Sequence, residues 1–418
     1  MTVKKTIALS ISTLLVVVLT WWVISSWNRW FGNVPEQCYD VPVHPDRITL
    51  CYGPDAMTDR CITWRCDTLL HESYLLLATP TDTLHITPTH ADIQSRSGHQ
   101  YFYRAELYGL QPGDYAYRIV DAHDTTSWQT FSITQHTDTL RFMLLGDIQD
   151  EPDGDSPGLI RHALSHLPPM HFWAFVGDMI ERPTDLYWNV FYHAIDTLCA
   201  SLPLMPCTGN HDYLKGIYKH IDTRWAYSFG TPHNGPARFC GRTYYVDFDN
   251  MRFIVIDTDA LQFPHEYLSA RRWARQAVET STKHWNIVLM HHPLYSASIG
   301  RDNPTMRWTF RDIFEGNPRI DLVLAGHDHS YMRRQTDTTP VYLVSTTAQK
   351  DYLSKCDPKA AKVACGHRLY QYVSVTDSII TLSSYLADNG QLYDSIQIVK
   401  AGTNEARIID YAQHIPEQ

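Results

Sequence analysis

A chain of 418 residues has room for two or three domains and a large buried core. With 44% hydrophobic and 19% charged residues, and no low-complexity tract, the composition is that of a globular protein and excludes a disordered or fibrous one. The formal net charge of -10 argues against a nucleic-acid partner, because that affinity rests mainly on Lys and Arg neutralising phosphates.

Residues 1–30 form the first unit. Lys4 and Lys5 precede an uncharged stretch from Thr6 to Asn28 whose apolar heart runs from Ile7 to Ile24. A hydrocarbon core of about 30 Å needs roughly 20 helical residues, which this stretch supplies. No small-residue cleavage site follows, and Trp21, Trp22, Trp27 and Trp30 resemble an interfacial belt. The segment therefore reads as a transmembrane anchor rather than a cleaved signal. The positive-inside rule sends everything after Arg29 across the membrane, to the periplasm or the exterior, and cleavage would make the protein secreted. Nine cysteines are consistent with an oxidising compartment. A Cys356–Cys365 disulfide is expected, as is one pair among Cys51, Cys61 and Cys66; the odd total leaves at least one thiol over.

Residues 38–136 read as an all-β sandwich. Arg47–Tyr52, Cys61–Arg65, Ser73–Leu77, Tyr101–Leu107 and Tyr115–Val120 are short runs rich in β-branched and aromatic residues. Gly53-Pro54, Ser97-Gly98 and Pro112-Gly113 punctuate them. The stretch from Leu107 to Tyr117, with its Pro-Gly turn feeding a tyrosine strand, resembles the corner of a fibronectin type III module.

Residues 139–400 change pattern to apolar runs alternating with amphipathic helices, which predicts an α/β domain. The runs are Leu140–Leu145, Phe172–Val176, Leu202–Met205, Arg252–Ile256, Trp285–Met290, Asp321–Leu324 and Val341–Val344. Ser156-Pro157 starts a helix with Leu159, Ile160, Ala163, Leu164 and Leu167 on one face. A second helical face is predicted from Leu186, Val190, Phe191, Ala194 and Leu198. Asp249-Asn250 suits a hairpin turn. Tyr370–Val375, Ile379–Tyr385 and Ser395–Val399 read as closing strands, and residues 401–418 as a C-terminal tail.

Nearly every run ends in a possible metal ligand. The motifs are Leu145-Gly146-Asp147, Val176-Gly177-Asp178, Gly209-Asn210-His211-Asp212, Val288-Leu289-Met290-His291 and Gly326-His327-Asp328-His329. Loops at the carboxyl ends of strands converge on one crevice, so five distant motifs are expected to meet. Singly, an Asp after a strand is usually a turn or cap, and a buried His usually satisfies a local group, which is the expectation for His292. Together, carboxylates, amide and imidazoles are the donors that two closely spaced divalent ions want.

The order of these motifs resembles the calcineurin-like metallophosphoesterases, and the fibronectin-like sandwich before them resembles the purple acid phosphatases. The resemblance covers about Val41 to Val399. It implies a four-layer αββα sandwich preceded by the β-sandwich, and two metal ions drawn from Fe, Zn and Mn. Asp178 would bridge both ions, Asp147 and His329 would complete one site, and Asn210, His291 and His327 the other. His211 would act as proton donor or phosphate contact, with Asp212 orienting its ring. The implied reaction is attack of a metal-bound hydroxide on the phosphorus of a phosphate ester.

Three departures bear on that expectation. Purple acid phosphatases carry a metal-binding Tyr three residues after the bridging Asp, where this chain has Glu181, so no purple colour is expected. Gln149 stands where the wider superfamily often has His, and its amide either reaches a metal or hydrogen-bonds a ligand. The phosphatases have His shortly after Val-x-x-His, where this chain has Arg301, a candidate bidentate phosphate clamp. The function expected is an acid-phosphatase-like phosphomonoesterase. A diesterase or pyrophosphatase, or a membrane-tethered adhesion protein with an inert metal domain, is the alternative. Oligomeric state is left open.

Overall fold

The computed structural model describes residues 3–67, 73–121, 125–315, 320–334, 339–347, 349–350, 352, 359–400, 402 and 406–412. Helix α1 (Val3–Phe31) opens it, free of Gly and Pro throughout. Its segment Ser10–Phe31 is long and apolar enough to cross a membrane by length and composition, and no residue of its apolar window is buried. At about 1.5 Å per residue such a helix outreaches a hydrocarbon core of about 30 Å. Trp22 packs edge-on against Trp30, and Trp27 against Phe31, both with centroids 4.8 Å apart.

Eight strands follow: β1 (Asp46–Tyr52), β2 (Arg60–Cys66), β3 (Tyr74–Ala78), β4 (Thr83–Ile86), β5 (Thr89–Ser95), β6 (Gly98–Leu107), β7 (Gly113–Val120) and β8 (Gln129–Ile133). Period-two burial places Tyr115, Tyr117 and Ile119 of β7 inside, against Leu50, Trp64 and Tyr103. Tyr115 Oη donates to the Gln111 carbonyl at 2.7 Å and closes the corner before β7.

The next stretch holds β9 (Leu140–Leu145), α2 (Ser156–His166), β10 (Phe172–Val176), α3 (Asp185–Ile195) and β11 (Leu204–Cys207). A small hairpin of β12 (Tyr213–Leu214) and β13 (His220–Ile221) leads through α4 (Thr223–Ser228) to β14 (Tyr244–Asp247) and β15 (Met251–Ile256). Then come α5 (Pro264–Glu279), β16 (Trp285–Met290), α6 (Pro304–Phe314), β17 (Leu322–Ala325), β18 (Tyr331–Arg334) and β19 (Val341–Val344). The chain closes with β20 (Ala360–Ala364), β21 (Leu369–Val375), β22 (Ile379–Leu386), β23 (Leu392–Val399) and β24 (Arg407–Asp410).

Among the described residues, one sheet has eleven strands, in the order β24-β23-β22-β21-β9-β10-β11-β1-β2-β6-β5. A second has seven, ordered β14-β15-β16-β17-β19-β18-β20. Strands β9, β10 and β11 pair in parallel, as do β15, β16, β17 and β19, so both faces of these strands are buried and their sequences are continuous apolar runs. Phe142, Phe172 and Val176 of the larger sheet share one core with Phe253, Ile287 and Leu324 of the smaller. The other face of the larger sheet packs on α2 and α3, and that of the smaller on α5 and α6.

Three sequence expectations are corrected here. In the β-region the correction concerns only its edge: β4-β3-β7-β8 packs on β1-β2-β6-β5 over one core, and the latter strands also continue the larger sheet through the parallel pair Cys51–Leu204. The buried face of α3 is Tyr187, Trp188, Phe191, Ala194 and Ile195; Leu186 and Leu198 are exposed, because the aromatic rings take the core. Cys51, Cys61 and Cys66 are free thiols. Cys51 and Cys61 face each other directly across β1 and β2, where Cβ separations of about 4.5–5.5 Å exceed the roughly 3.5–4.5 Å a disulfide needs. Cys66 points into the sandwich core instead. Cys356, the expected partner of Cys365, lies outside the described residues. The C-terminal stretch also supplies β24, paired with β23 at the sheet edge.

A buried ionic cluster fastens the β-region to α3 and α4. Asp185 Oδ1 lies 2.7 Å from Arg65 Nη1 and 2.9 Å from Arg47 Nη1, and Oδ2 lies 2.8 Å from Arg224 Nη1 and 2.6 Å from Gln100 Nε2. Glu36 joins it, accepting from Arg224 at 2.5 and 3.0 Å and from the Asp185 amide at 2.7 Å. Burial pushes the Asp185 carboxyl up, but Arg47, Arg224 and Arg65 together hold it well below the usual carboxylate range.

Candidate metal centre

The loops leaving β9, β10, β11, β16 and β17 carry the five motifs. Four of their residues are non-glycine positions in the left-handed region: Asp147 (φ 50°), Asp178 (φ 49°), His327 (φ 76°) and His329 (φ 46°). Such backbones cost on the order of 1–3 kcal/mol each and cluster at functional sites. Here they turn side chains off the line of a strand into the crevice. Gly177 (φ 92°) is required because a Cβ there would sit 2.5 Å from His291 Nδ1, and one on Gly209 would sit 2.1 Å from the Asp178 amide nitrogen.

The side chains converge. Ligand atoms of Asp147, Asp178 and His291 lie within 4.8 Å of one another, and all three residues are buried. His291 Nδ1 is 2.9 Å from the Val176 carbonyl, which turns Nε2 into the crevice. There Nε2 lies 3.4 Å from Asp178 Oδ2, 3.2 Å from Asn210 Oδ1 and 3.2 Å from His327 Nδ1. His327 Nδ1 is 2.9 Å from Asn210 Oδ1. The His327 amide donates to Asp147 Oδ1 at 2.9 Å, and the His211 amide to Asp178 Oδ1 at 2.8 Å. His329 is buried with its ring 4.9 Å from that of Tyr352.

Asp147 Oδ2, Gln149 Oε1 and His329 Nδ1 are among the buried atoms here without a hydrogen-bond partner, as are Asp212 Oδ1 and both carboxylate oxygens of Asp328. Leaving such atoms unsatisfied costs about 1–3 kcal/mol each. Burial pushes the Asp147 carboxyl up to about 7, with His291 opposing and the Asp178 charge adding to the rise. Burial likewise pushes the His329 imidazole down to about 3. Hard-to-borderline divalent ions accept this combination of carboxylate, amide oxygen and imidazole, so the residues present fit a metal centre.

The expected role of Asp212 is corrected. Asp212 is fully buried, and its Oδ2 accepts the Gly209 amide at 2.7 Å, closing the turn that carries Asn210 and His211. The His211 ring is held by Glu181 instead, its Nδ1 2.6 Å from the Glu181 carbonyl and 3.9 Å from the Glu181 carboxylate. Glu181 also accepts Gln149 Nε2 at 3.0 Å and pairs with Lys350. The signal for Glu181 was its place three residues after Asp178, read only as a missing tyrosine; Lys350 and Tyr352 gave no signal. Arg301 sits at the rim, its Nη1 donating to the His327 carbonyl at 2.5 Å and its guanidinium 4.1 Å over the Tyr352 ring. His292 pairs with Thr258 Oγ1 at 3.0 Å, as an ordinary buried histidine would, with Asp259 3.7 Å away.

Residues 140–331 match the family profile described as calcineurin-like phosphoesterase. The chain carries a calcineurin-like metallophosphoesterase domain. Purple acid phosphatase 4 of Arabidopsis thaliana is 24% identical over 215 residues, 44% of this chain and 59% of that protein. Acid phosphatase type 7 of Mus musculus is 23% identical over 259 residues, 56% of this chain and 57% of that protein. The chain thus spans less than two thirds of the length of these curated relatives. The solved structure of PhoD matches in fold with a TM-score of 0.62 at 12% identity, covering 89% of this chain and 93% of that one. The metallophosphoesterase domain therefore has an α/β fold with extensive sheets.

Proposed function

We propose that this protein is a metal-dependent phosphoesterase acting on phosphomonoesters, with its catalytic domain held outside the cytoplasm by α1. On this reading the domain is a four-layer αββα sandwich preceded by a fibronectin-like module. The observation that carries the reading is the buried group of Asp147, Asp178 and His291 at three strand ends, with Asn210 and His327 in contact with His291. Asp147, Asp178, Asn210, His291, His327 and His329 would hold the metal ions, with Asp178 placed among both carboxylate and imidazole neighbours. Gln149 Oε1, left without a hydrogen-bond partner, would be a further ligand. Divalent ions bound there supply Lewis acidity and lower the pKa of water.

The chain's own residues do the rest. The Glu181 carbonyl fixes the proton on His211 Nδ1, which leaves Nε2 to exchange a proton with the leaving oxygen. Arg301 clamps a phosphate oxygen with the guanidinium nitrogens not given to His327. Relatives named as acid phosphatases support the monoester preference. Without a tyrosine at position 181 the loaded protein has no purple colour.

The deciding measurement is metal content together with turnover of aryl phosphate mono- and diesters by the full-length protein. Bound metal in stoichiometric amount and hydrolysis of monoesters are expected, with loss of both on chelation. Metal-replete protein inert on every ester would establish the tethered binding protein instead, and faster diester turnover would establish a diesterase.

A further inference from the structure

We infer that the candidate site opens onto the bilayer that holds α1, and that its substrate is a phosphomonoester embedded in that membrane, a lipid phosphate. This rests on the phosphoesterase and anchor readings above and assigns the substrate class.

The first observation is the chain that leaves the helix. Asn33, two residues past α1, makes a two-way bond with the backbone of Lys215: Nδ2 donates to the carbonyl at 2.9 Å and Oδ1 accepts the amide at 2.8 Å. The Val34 carbonyl accepts Arg96 Nη1 at 2.7 Å, and Glu36 is locked to Arg224 and the Asp185 amide. A flexible linker would let the domain drift from the membrane, whereas this segment is fastened almost from its first residue.

The second observation is a cavity of about 440 Å³ whose wall includes that same segment. Gly32, Asn33 and Val34 line one side, and Glu181, Asn210 and His211 the other. The volume falls in the range of small-ligand sites, about 300–1,000 Å³. A head group entering between the juxtamembrane chain and His211 therefore comes from the membrane side.

The third observation is the β12–β13 hairpin, the element tied to Asn33. Its tip reads Lys215-Gly216-Ile217-Tyr218-Lys219; Ile217 is 76% exposed and both lysines are exposed. Tyr218 stacks on the half-exposed Phe263 with centroids 5.7 Å apart and planes 8° apart. One exposed isoleucine is ordinary on a soluble surface. Flanked by lysines, backed by an aromatic pair and bonded to the first residues after a membrane-length helix, it has the composition of an interfacial contact. The apolar tip enters the head-group layer and the ammonium groups draw anionic lipid.

The test uses the full-length protein in vesicles of phosphatidylcholine with a minor share of phosphatidylglycerol and phosphatidic acid. An environment-sensitive fluorescent amino acid replaces Ile217 in one protein and exposed Leu84 of β4 in another. A second variant carries an insert of about 20 Gly and Ser residues between Phe31 and Gly32, which frees the domain and leaves the Asn33–Lys215 bonds in place. The label at 217 is expected to shift to the blue and be quenched by brominated lipid, and the label at 84 is not. The insert is expected to lower kcat/KM for phosphatidic acid in the vesicles by about threefold or more, with glycerol phosphate turnover within about twofold, because it removes the enforced proximity. A water-like spectrum at 217, or equal effects of the insert on both esters, overturns the inference. Turnover of aryl and glycerol phosphates with none of the lipid phosphate overturns the substrate assignment alone. Failure on all three overturns the hydrolase reading beneath it.

Discussion

Asp185 and Asp147 are both fully buried carboxylates, yet their surroundings differ in kind. Asp185 meets three guanidiniums, the Gln100 amide and the Ser97 hydroxyl, so each oxygen is engaged by more than one donor. Asp147 accepts a single backbone amide on Oδ1, and its Oδ2 has no partner. The Asp185 carboxylate is satisfied from within the chain, and its cluster fastens the β-region to α3 and α4. The second cluster leaves Asp147 Oδ2 open, as the proposed metal centre requires. Burial of a carboxylate therefore says less than what engages its two oxygens.

The largest expected effect breaks the satisfied cluster. Asp185→Ala leaves three buried guanidiniums short of a partner and should cost about 3–5 kcal/mol in chemical unfolding, while the folded fraction keeps its turnover per molecule. A cost below about 1 kcal/mol would show that the cluster is not a fastener.

The matching change in the open cluster should have the opposite signature. Asp147→Asn is expected to lower turnover by more than the 10–100-fold typical of outer ligand-orienting partners, with loss of bound metal by elemental analysis. In metal-stripped protein the same variant should be as stable as the parent or about 1 kcal/mol more stable, because an unpaired buried charge is removed. A metal-free Asp147→Asn protein destabilised by several kcal/mol would erase the contrast.

A smaller effect probes the rim of the open cluster. His211→Ala should lose about a hundredfold on alkyl phosphates, whose leaving oxygen needs a proton, and less than about tenfold on nitrophenyl phosphate. Equal losses would reject the acid role. Smallest is the acid response of the closed cluster. Asp185 has a depressed folded pKa, so its stabilisation is present above the unfolded value near 3.9 and is lost as pH falls below it. Unfolding free energy should drop on the order of 1 kcal/mol per pH unit below about pH 4, and Asp185→Asn should remove that part of the slope. An unchanged slope would mean that other carboxylates dominate.

Much of this was legible in the sequence, for physical reasons. Strands β9, β10, β16 and β19 coincide with their apolar runs to the residue, because strands covered on both faces leave no polar alternation to blur the ends. The gathering of Asp147, Asp178, Asn210 and His327 followed from glycine beside acid, amide or imidazole at strand ends, and that of His291 from its place at the end of an apolar run. Helix α5 escaped reading because its buried face is Ala270, Ala274, Ala277 and Val278, too small to stand out among its arginines. Strand β4 escaped because three of its four residues are exposed. Whether Asp212 or Glu181 holds the His211 ring is a matter of atomic approach between two loops, which spacing along the chain does not encode. The run of β1 into β11 rests on a distant pairing with no local signature.

That pairing has a consequence for how the molecule can be divided. A polypeptide beginning after β8 would leave β11 as a bare edge of unpaired amides and carbonyls, the kind of surface on which chains template one another into aggregates. Strands β1, β2, β6 and β5 are in effect the selvedge of the larger sheet. The natural cut for producing a soluble form lies ahead of residue 33, between helix and sheet, and the two β-rich regions should be inherited, expressed and purified as a single piece.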